Sequence, residues 1–443
     1  MNEVMNIKKG NSVIAFKHIG QPSTFLGISS FQMLAMFRRG LFYCYLSIYL
    51  RQYLGLSVTE TTLFATLPML SNILFQTFIW GKISDKYQLR RTLILVGELM
   101  AAVGTIVVWY CHTLSENGII SGYVIILGLT VIEAFWSMSN IGWSALISDI
   151  YEEKDRSAIQ GRLSSMGGLG RILGIWIGGL LYDGLGRFYP GWGFEKGTLF
   201  FVAAGAMIIS VLPLRLLPEG GIGNQTTQFD FNPDKNMPPL SPFKHNEFIL
   251  FLTAMIFINF GRNSIAVIQT QYLVLESGLA VNSQVLSYIV NTQSVAMVIT
   301  GFMTGWITSR LGDENALILG TISAIVALVI LGTSLNLTLI YISNFIRGFS
   351  EVLIMAASYT VASMLIPPSS RGRLFAVFNA TFFLSWGLAG TLIAGPIVDY
   401  LRINGYSEVI SYQYSFLSAA ALTSVGAVLW MRQSMQKRYS HAI

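Results

Sequence analysis

Apolar residues run along this chain in long blocks, broken by short polar stretches. A bilayer core of about 30 Å needs roughly 20 apolar residues per helix. Twelve runs reach that length: residues 24–50, 58–80, 92–112, 119–150, 158–183 and 198–217, then 246–275, 283–308, 315–334, 338–366, 373–401 and 408–431. Inside hydrocarbon every backbone polar group must find its partner within the segment, so each run is expected to be a helix. The pattern predicts an all-α polytopic membrane protein with 12 transmembrane helices.

One stretch breaks the rhythm. Residues 218–245, PEGGIGNQTTQFDFNPDKNMPPLSPFKH, are polar, rich in Pro, Gly and Asn, and long for a connection. The expected organisation is an N-terminal segment 1–23, a six-helix bundle 24–217, a linker 218–245, a second six-helix bundle 246–431 and a tail 432–443. The halves look repeated. FRRG at 37–40 resembles FGRN at 260–263, and LGLSV at 54–58 resembles SGLAV at 277–281, in both cases 223 residues apart. GKISDKYQLRRTLILVG (81–97) resembles GWITSRLGDENALILG (305–320), and DRSA (155–158) and SRGR (370–373) follow the fourth run of each half. Repeated halves with a site between them are the usual plan of secondary transporters.

Composition agrees with the pattern. The chain is 53% hydrophobic and 11% charged, where a soluble domain carries about 25% charged residues. Cys44 and Cys111 lie in apolar runs and indicate neither a disulfide framework nor a metal site. No cleavable signal peptide is visible in residues 1–23. Of the 28 Lys and Arg, only Arg51, Arg187, Lys196 and Arg402 fall on the outer side if both termini are cytoplasmic. Arg38, Arg39, Arg171, Arg262 and Arg347 lie inside runs, and the rest are on the inner side. This positive-inside bias sets both termini in the cytoplasm and accounts for the pI near 9.2 without a nucleic-acid partner.

The loop after the second run carries Gly81, Asp85, Lys86, Arg90 and Arg91. This resembles the signature loop of the major facilitator superfamily, Gly-x-x-x-Asp-basic with further basic residues following. The resemblance implies that fold, of two pseudo-symmetric six-helix bundles. It also implies alternating access in a plasma membrane, a monomer, and a loop that latches the halves in one access state. Gly81 would let the loop approach a neighbouring helix, Asp85 would cap a helix N-terminus, and Asp149 would share the network with Arg91. Gln88 replaces one usual glycine. The second copy keeps Gly305, Arg310 and Gly312 but has Ser309 where the aspartate is expected. GRILGIWIGG (170–179) resembles the superfamily's antiporter motif with Ile175 in place of the proline, and equally reads as a small-residue packing face.

The buried charges carry the expected chemistry. Arginines at membrane depth are costly and mark function. Against the five intramembrane arginines stand Glu133 and Glu351, with Glu98 nearer the cytoplasmic end. The excess of cations calls for an anion. Arg38 and Arg39 point about 100° apart on a helix, so both cannot face one point. The repeat aligns Arg39 with Arg262, and two arginines can grip one phosphate or carboxylate in forked geometry. This resembles the organophosphate:phosphate antiporters, which hold phosphate with an arginine from each of the first and seventh helices. The alternative is a structural pair between Arg39 and Glu133. Asn259, Asn263, Asn291 and Gln293 are candidate substrate contacts or interhelical glue. Arg347 and Glu351, at i and i+4, either neutralise each other or form a proton switch, a role for which Glu133 is the stronger candidate.

The expected function is a secondary transporter moving a small-molecule substrate, an organic anion, coupled to a proton or an anion. The other readings are a multidrug/proton antiporter and a lipid or lysolipid transporter. No phosphate-binding loop, HExxH or other recognised catalytic spacing is present. His18, His112, His245 and His441 fall at or beyond run ends. No enzyme activity, cofactor or metal is therefore expected.

Overall fold

The computed structural model describes residues 22–151, 153–186, 189–220, 242–366 and 371–442. Most of the expected N-terminal segment and linker lies outside the described residues. The described chain is helical and contains no strand. Helix α1 is Pro22–Ile48, ending in a π-turn Tyr49–Tyr53. Helix α2 runs Val58–Phe75, through a π-turn Gln76–Trp80, to Gly81–Tyr87. Next come α3 (Arg90–Thr113), α4 (Gly118–Ile150), α5 (Glu153–Tyr182), a short turn Trp192–Glu195 and α6 (Thr198–Leu214). The second half has α7 (Pro242–Ser264, resuming at Ile268–Leu273), α8 (Ser283–Leu311), α9 (Asp313–Thr333) and α10 (Leu337–Leu365). It ends with α11 (Arg371–Ala389, a π-turn Gly390–Ala394, Gly395–Ile403) and α12 (Glu408–Ala442).

Each of the twelve expected runs meets one of these helices. Nine, counted among the described residues, are long and apolar enough to cross a membrane. The other three are α1 with Arg38 and Arg39, α5 with its charged first turns, and the 17-residue α6.

Asparagines set the starts of several helices. Asn117 Oδ1 accepts from the N–H groups of Ile119 and Ile120, and Asn336 Oδ1 from those of Thr338 and Leu339. Each Asn takes its own N–H bond to a serine two residues earlier, Ser115 and Ser334. The fourth helix of each half thus begins with the same Ser-x-Asn cap, satisfying donors that a helix start leaves orphaned.

The described residues fall into two compact units. Those of Met1–Cys44 and Pro68–Thr227 form the first, and those of Tyr45–Leu67 and Gln228–Ile443 the second. In the first, α5 lies so close to α1 that a Cβ at Gly170 or Gly174 would strike the carbonyl oxygens of Met33 and Phe37. The GRILGIWIGG stretch therefore serves close helix packing. Ile28, Phe31, Ile94, Leu146 and Leu214 fill the core of this unit.

In the second unit, Phe251, Ile258, Leu317, Ile354, Phe378 and Trp430 share one apolar core. The hairpin Tyr45–Leu67 is held in this unit by polar contacts. Ser47 Oγ and Thr270 Oγ1 are 2.8 Å apart, and Thr62 Oγ1 and Thr391 Oγ1 2.7 Å. Gln271 Nε2 donates to Thr61 Oγ1 at 2.8 Å. Arg51 pairs with Glu408 at 2.9 Å. The Asp399 carboxylate accepts from the N–H groups of Val58 (3.0 Å) and Thr59 (2.7 Å), the first turn of α2.

Candidate functional site

In the first unit the two adjacent arginines part company. Arg38 is 4% exposed. Its Nη1 lies 2.6 Å from Glu98 Oε2 on α3, and Glu98 Oε1 accepts from Ser139 on α4 at 2.9 Å. The guanidinium also lies 4.2 Å from the ring centre of Trp136. A buried ion pair is tolerated when further hydrogen bonds support it; here Ser139 completes Glu98, Arg38 Nε is buried without an acceptor, and the pair joins three helices. Arg38 is a structural anchor with its charge matched. Arg39, about 100° further round α1, is exposed. Glu133 on α4 accepts from Asn72 Nδ2 on α2 at 2.6 Å, within electrostatic reach of Arg39 and Arg38. The hydrogen bond to Glu133 thus comes from an amide rather than from Arg39.

The second unit repeats part of this plan. Glu351 on α10 accepts from Gln293 Nε2 on α8 at 2.9 Å, as Glu133 does from α2. Asn291 and Arg347 are half-buried on the same two helices. Arg262 is different from Arg38. It is 7% exposed, and among the described residues it forms no ion pair. Its Nε donates to Asn259 Oδ1 at 3.1 Å, its guanidinium lies 5.4 Å from the ring centre of Phe382 on α11, and its Nη2 is buried without an acceptor. Glu351 is its electrostatic neighbour but not its hydrogen-bond partner.

Asn259, Arg262 and Asn263 occupy one face of α7 at i, i+3 and i+4. Asn259 Nδ2 donates to Thr381 Oγ1 at 3.2 Å, and Asn263 Nδ2 to Ser385 Oγ at 2.8 Å. Both expected contact residues thus also tie α7 to α11.

The signature loop closes differently from expectation. Arg90 Nε, not Arg91, reaches Asp149, at 3.2 Å; Arg90 also donates to the Ser84 carbonyl and to Gln88 Oε1. Arg91 turns instead to the start of the linker. It bonds the Leu217 carbonyl at 2.8 Å and pairs with Glu219 at 3.3 Å, while Glu219 Oε1 caps the N–H of Thr92. Arg91 comes one residue later on α3, which swings it about 100° away from Asp149. Gly81 abuts only the Gln76 carbonyl of its own π-turn, so its small size serves that turn rather than an approach to a neighbour. The side chain of Asp85 lies outside the described set. In the second copy Gly305 faces open space, and Arg310 stacks on Trp306 of its own helix at 4.7 Å.

The sequence reading missed Glu98, Ser139 and Trp136 as the setting of Arg38, and Asn72 as the partner of Glu133. An Asn or Ser inside an apolar run was the available signal.

Comparison with known proteins settles the family. The family model described as Major Facilitator Superfamily matches residues 28–389 and 252–440. The chain belongs to the Major Facilitator Superfamily. No curated protein sequence matches it. Among solved structures it is similar to a bacterial homologue of the human lysosomal transporter Spinster in an inward-facing, unoccupied conformation. That match has TM-score 0.68 and 16% identity, covering 94% of this chain and 98% of that one. It is similar to the nucleoside transporter NupG, with TM-score 0.68 and 14% identity, covering 93% and 99%. It is also similar to a POT family transporter in complex with a thioalcohol-conjugated peptide, with TM-score 0.64 and 15% identity, covering 95% and 99%. These likenesses confirm the fold, and the family makes this chain a membrane-embedded secondary transporter of small molecules rather than an enzyme.

Proposed function

We propose that this transporter moves a small organic anion, bearing a phosphate or carboxylate, by alternating access, and that Arg262 binds its anionic group. One observation carries the reading: Arg262 is buried, charged and without a carboxylate partner among the described residues. A guanidinium in that state is strongly unfavourable unless an anion joins it. A lipophilic cation would worsen the imbalance. Arg39, exposed in the first unit, offers a second cation of the same chemistry. Glu133 and Glu351, each held by a neutral amide, are the proposed carriers of a coupling proton, with Arg347 on the helix of Glu351. Asn263, Asn291 and Gln293 are proposed to line the polar surroundings. The latch role is proposed for Arg90 with Asp149, for Arg91 through Glu219, and for Gly81, Asp85, Gly305 and Arg310. The protein is proposed to act as a monomer in the plasma membrane with both termini cytoplasmic, as the basic loops favour.

The test is the melting temperature of the purified protein in detergent against organic phosphates, carboxylates, lysophospholipids and lipophilic cations. A ligand that binds only the folded state raises it. An anion is expected to stabilise the wild type and leave Arg262→Ala unaffected. Stabilisation of both proteins by lipophilic cations alone would overturn the reading in favour of a drug exporter.

A further inference from the structure

We infer that Asn259 is a positioning and selectivity residue for Arg262. It occupies one edge of the guanidinium with a neutral acceptor, so the positive charge and the two terminal nitrogens stay available to an anionic group. The inference rests on the reading of Arg262 as the substrate contact.

Hydrogen-bond direction carries the argument. The Thr381 hydroxyl donates to the Phe378 carbonyl at 2.8 Å. Its single proton is thereby committed, and only lone pairs face Asn259. Asn259 must therefore present its NH2 to Thr381, 3.2 Å away. That turns its carbonyl oxygen toward Arg262, whose Nε–H it accepts at 3.1 Å. A chain of three bonds, from the α11 backbone through two side chains, thus fixes which end of the amide the arginine meets. Phe382, next to Thr381, covers one face of the guanidinium.

What remains is the end of the guanidinium carrying Nη1 and Nη2, of which Nη2 is buried with no acceptor. That edge matches the two oxygens of a carboxylate or phosphate. A carboxylate in place of the Asn259 amide would satisfy the same Nε–H and cancel the charge. The amide holds the arginine still without neutralising it. Lysine in place of Arg262 would lose this division, since an ammonium has no separate edges.

The experiment compares full-length wild type with Arg262→Ala, Asn259→Ala, Asn259→Asp and Thr381→Val in detergent. The probes are inorganic phosphate, glycerophosphate and succinate. Apparent affinity comes from the concentration dependence of the melting temperature, and the ligand-free melting temperature reports the fold. Wild type is expected to bind at least one probe and Arg262→Ala none. Asn259→Ala and Thr381→Val should bind about tenfold more weakly, as an arginine held loosely does. Asn259→Asp should lose binding altogether while its ligand-free melting temperature stays level or rises, because one oxygen of the new carboxylate pairs with Arg262 and the Thr381 hydroxyl can turn its proton to the other. A merely structural asparagine would give the opposite: both substitutions would lower the ligand-free melting temperature alike and leave affinity unchanged. If wild type binds and Arg262→Ala does not, but Asn259→Asp binds like wild type, the role of Asn259 is overturned and the anion site stands. If wild type binds no probe, or Arg262→Ala binds equally, both fall. Should Asn259→Ala fail to fold, Asn259→Asp and Thr381→Val decide the question.

Discussion

Two buried arginines, Arg38 on α1 and Arg262 on α7, lie one position apart in the sequence repeat, on different helix faces, and are treated in opposite ways. Arg38 meets Glu98 at 2.6 Å, and Ser139 completes the carboxylate. Among the described residues Arg262 meets an amide and a ring, its Nη2 has no acceptor, and Glu351 is an electrostatic neighbour without a hydrogen bond to it. Desolvating a guanidinium is costly in both places. The first half offsets the cost internally, so its arginine is part of the fold. The second half leaves the charge open, which points to a partner that arrives and departs. A buried arginine is a brace in the first half, and in the second it is the proposed binding group.

The largest expected effect comes from breaking the brace. Glu98→Ala leaves Arg38 buried and unmatched and is expected to destabilise the protein by roughly 3–5 kcal/mol. The fraction recovered as a single species in detergent, and its melting temperature, report this. The double change Arg38→Met with Glu98→Leu should restore most of the loss, because apolar residues of similar volume replace the pair. If Glu98→Ala is tolerated, Arg38 is not held as described and the contrast collapses. Arg262→Met is the counterpart. It removes a charge that forms no ion pair among the described residues, so the ligand-free protein should be unchanged or more stable by about 1 kcal/mol, while the response to anions vanishes. A fall in ligand-free stability as large as that of Glu98→Ala would make Arg262 a brace as well.

This contrast was only partly legible in the sequence. The twelve helices were, because a bilayer demands length and apolarity and both are local properties. The duplication was visible in FRRG and FGRN, and the Ser115-x-Asn117 and Ser334-x-Asn336 caps carry the same signal in residues not used for it. Helical periodicity correctly separated Arg38 from Arg39, since 100° per residue needs no tertiary knowledge. Which acid Arg38 would meet was not readable: depth along a run gives the level of Glu98, not which helix stands opposite. The Thr59, Thr62 and Thr66 stripe of α2 was readable as a polar face, yet its partners Thr391 and Asp399 lie more than 320 residues away.

Smaller effects sharpen the comparison at helix starts. Each unit lends a distant carboxylate to a helix N-terminus: Glu219 to α3 in the first, Asp399 to α2 in the second. A carboxylate there bonds orphan N–H groups and faces the positive end of the helix dipole. Asp399→Asn keeps one acceptor and loses the charge, and is expected to cost about 1 kcal/mol in melting experiments. Glu219→Gln should cost a similar amount, since its pair with Arg91 is a third exposed and adds little. A much larger loss for Asp399→Asn would mean that the hairpin Tyr45–Leu67 depends on this one carboxylate rather than on its threonines.

The smallest effect separates the two copies of the signature loop. Seven residues after Gly81 comes Gln88, and seven after Gly305 comes Gly312; both have positive φ, 55° and 77°. The two differ in ψ: Gln88 is left-handed at 28°, which a side chain adopts at modest cost, whereas Gly312 at 153° is in a region essentially open to glycine alone. Gly312→Gln should therefore cost at least about 1 kcal/mol, because a Cβ there is strained and meets no atom within 4 Å to pack against. Gln88 does have a compensating contact: its Oε1 accepts from Arg90 at 3.2 Å. Gln88→Gly relieves the backbone and breaks that bond, a charge-assisted one worth about as much as the strain. The two substitutions are mirror images in sequence, yet only the second-half change should move the melting temperature measurably. If Gln88→Gly instead stabilises by a full 1 kcal/mol, its bond to Arg90 contributes nothing and the first-half loop is simply strained.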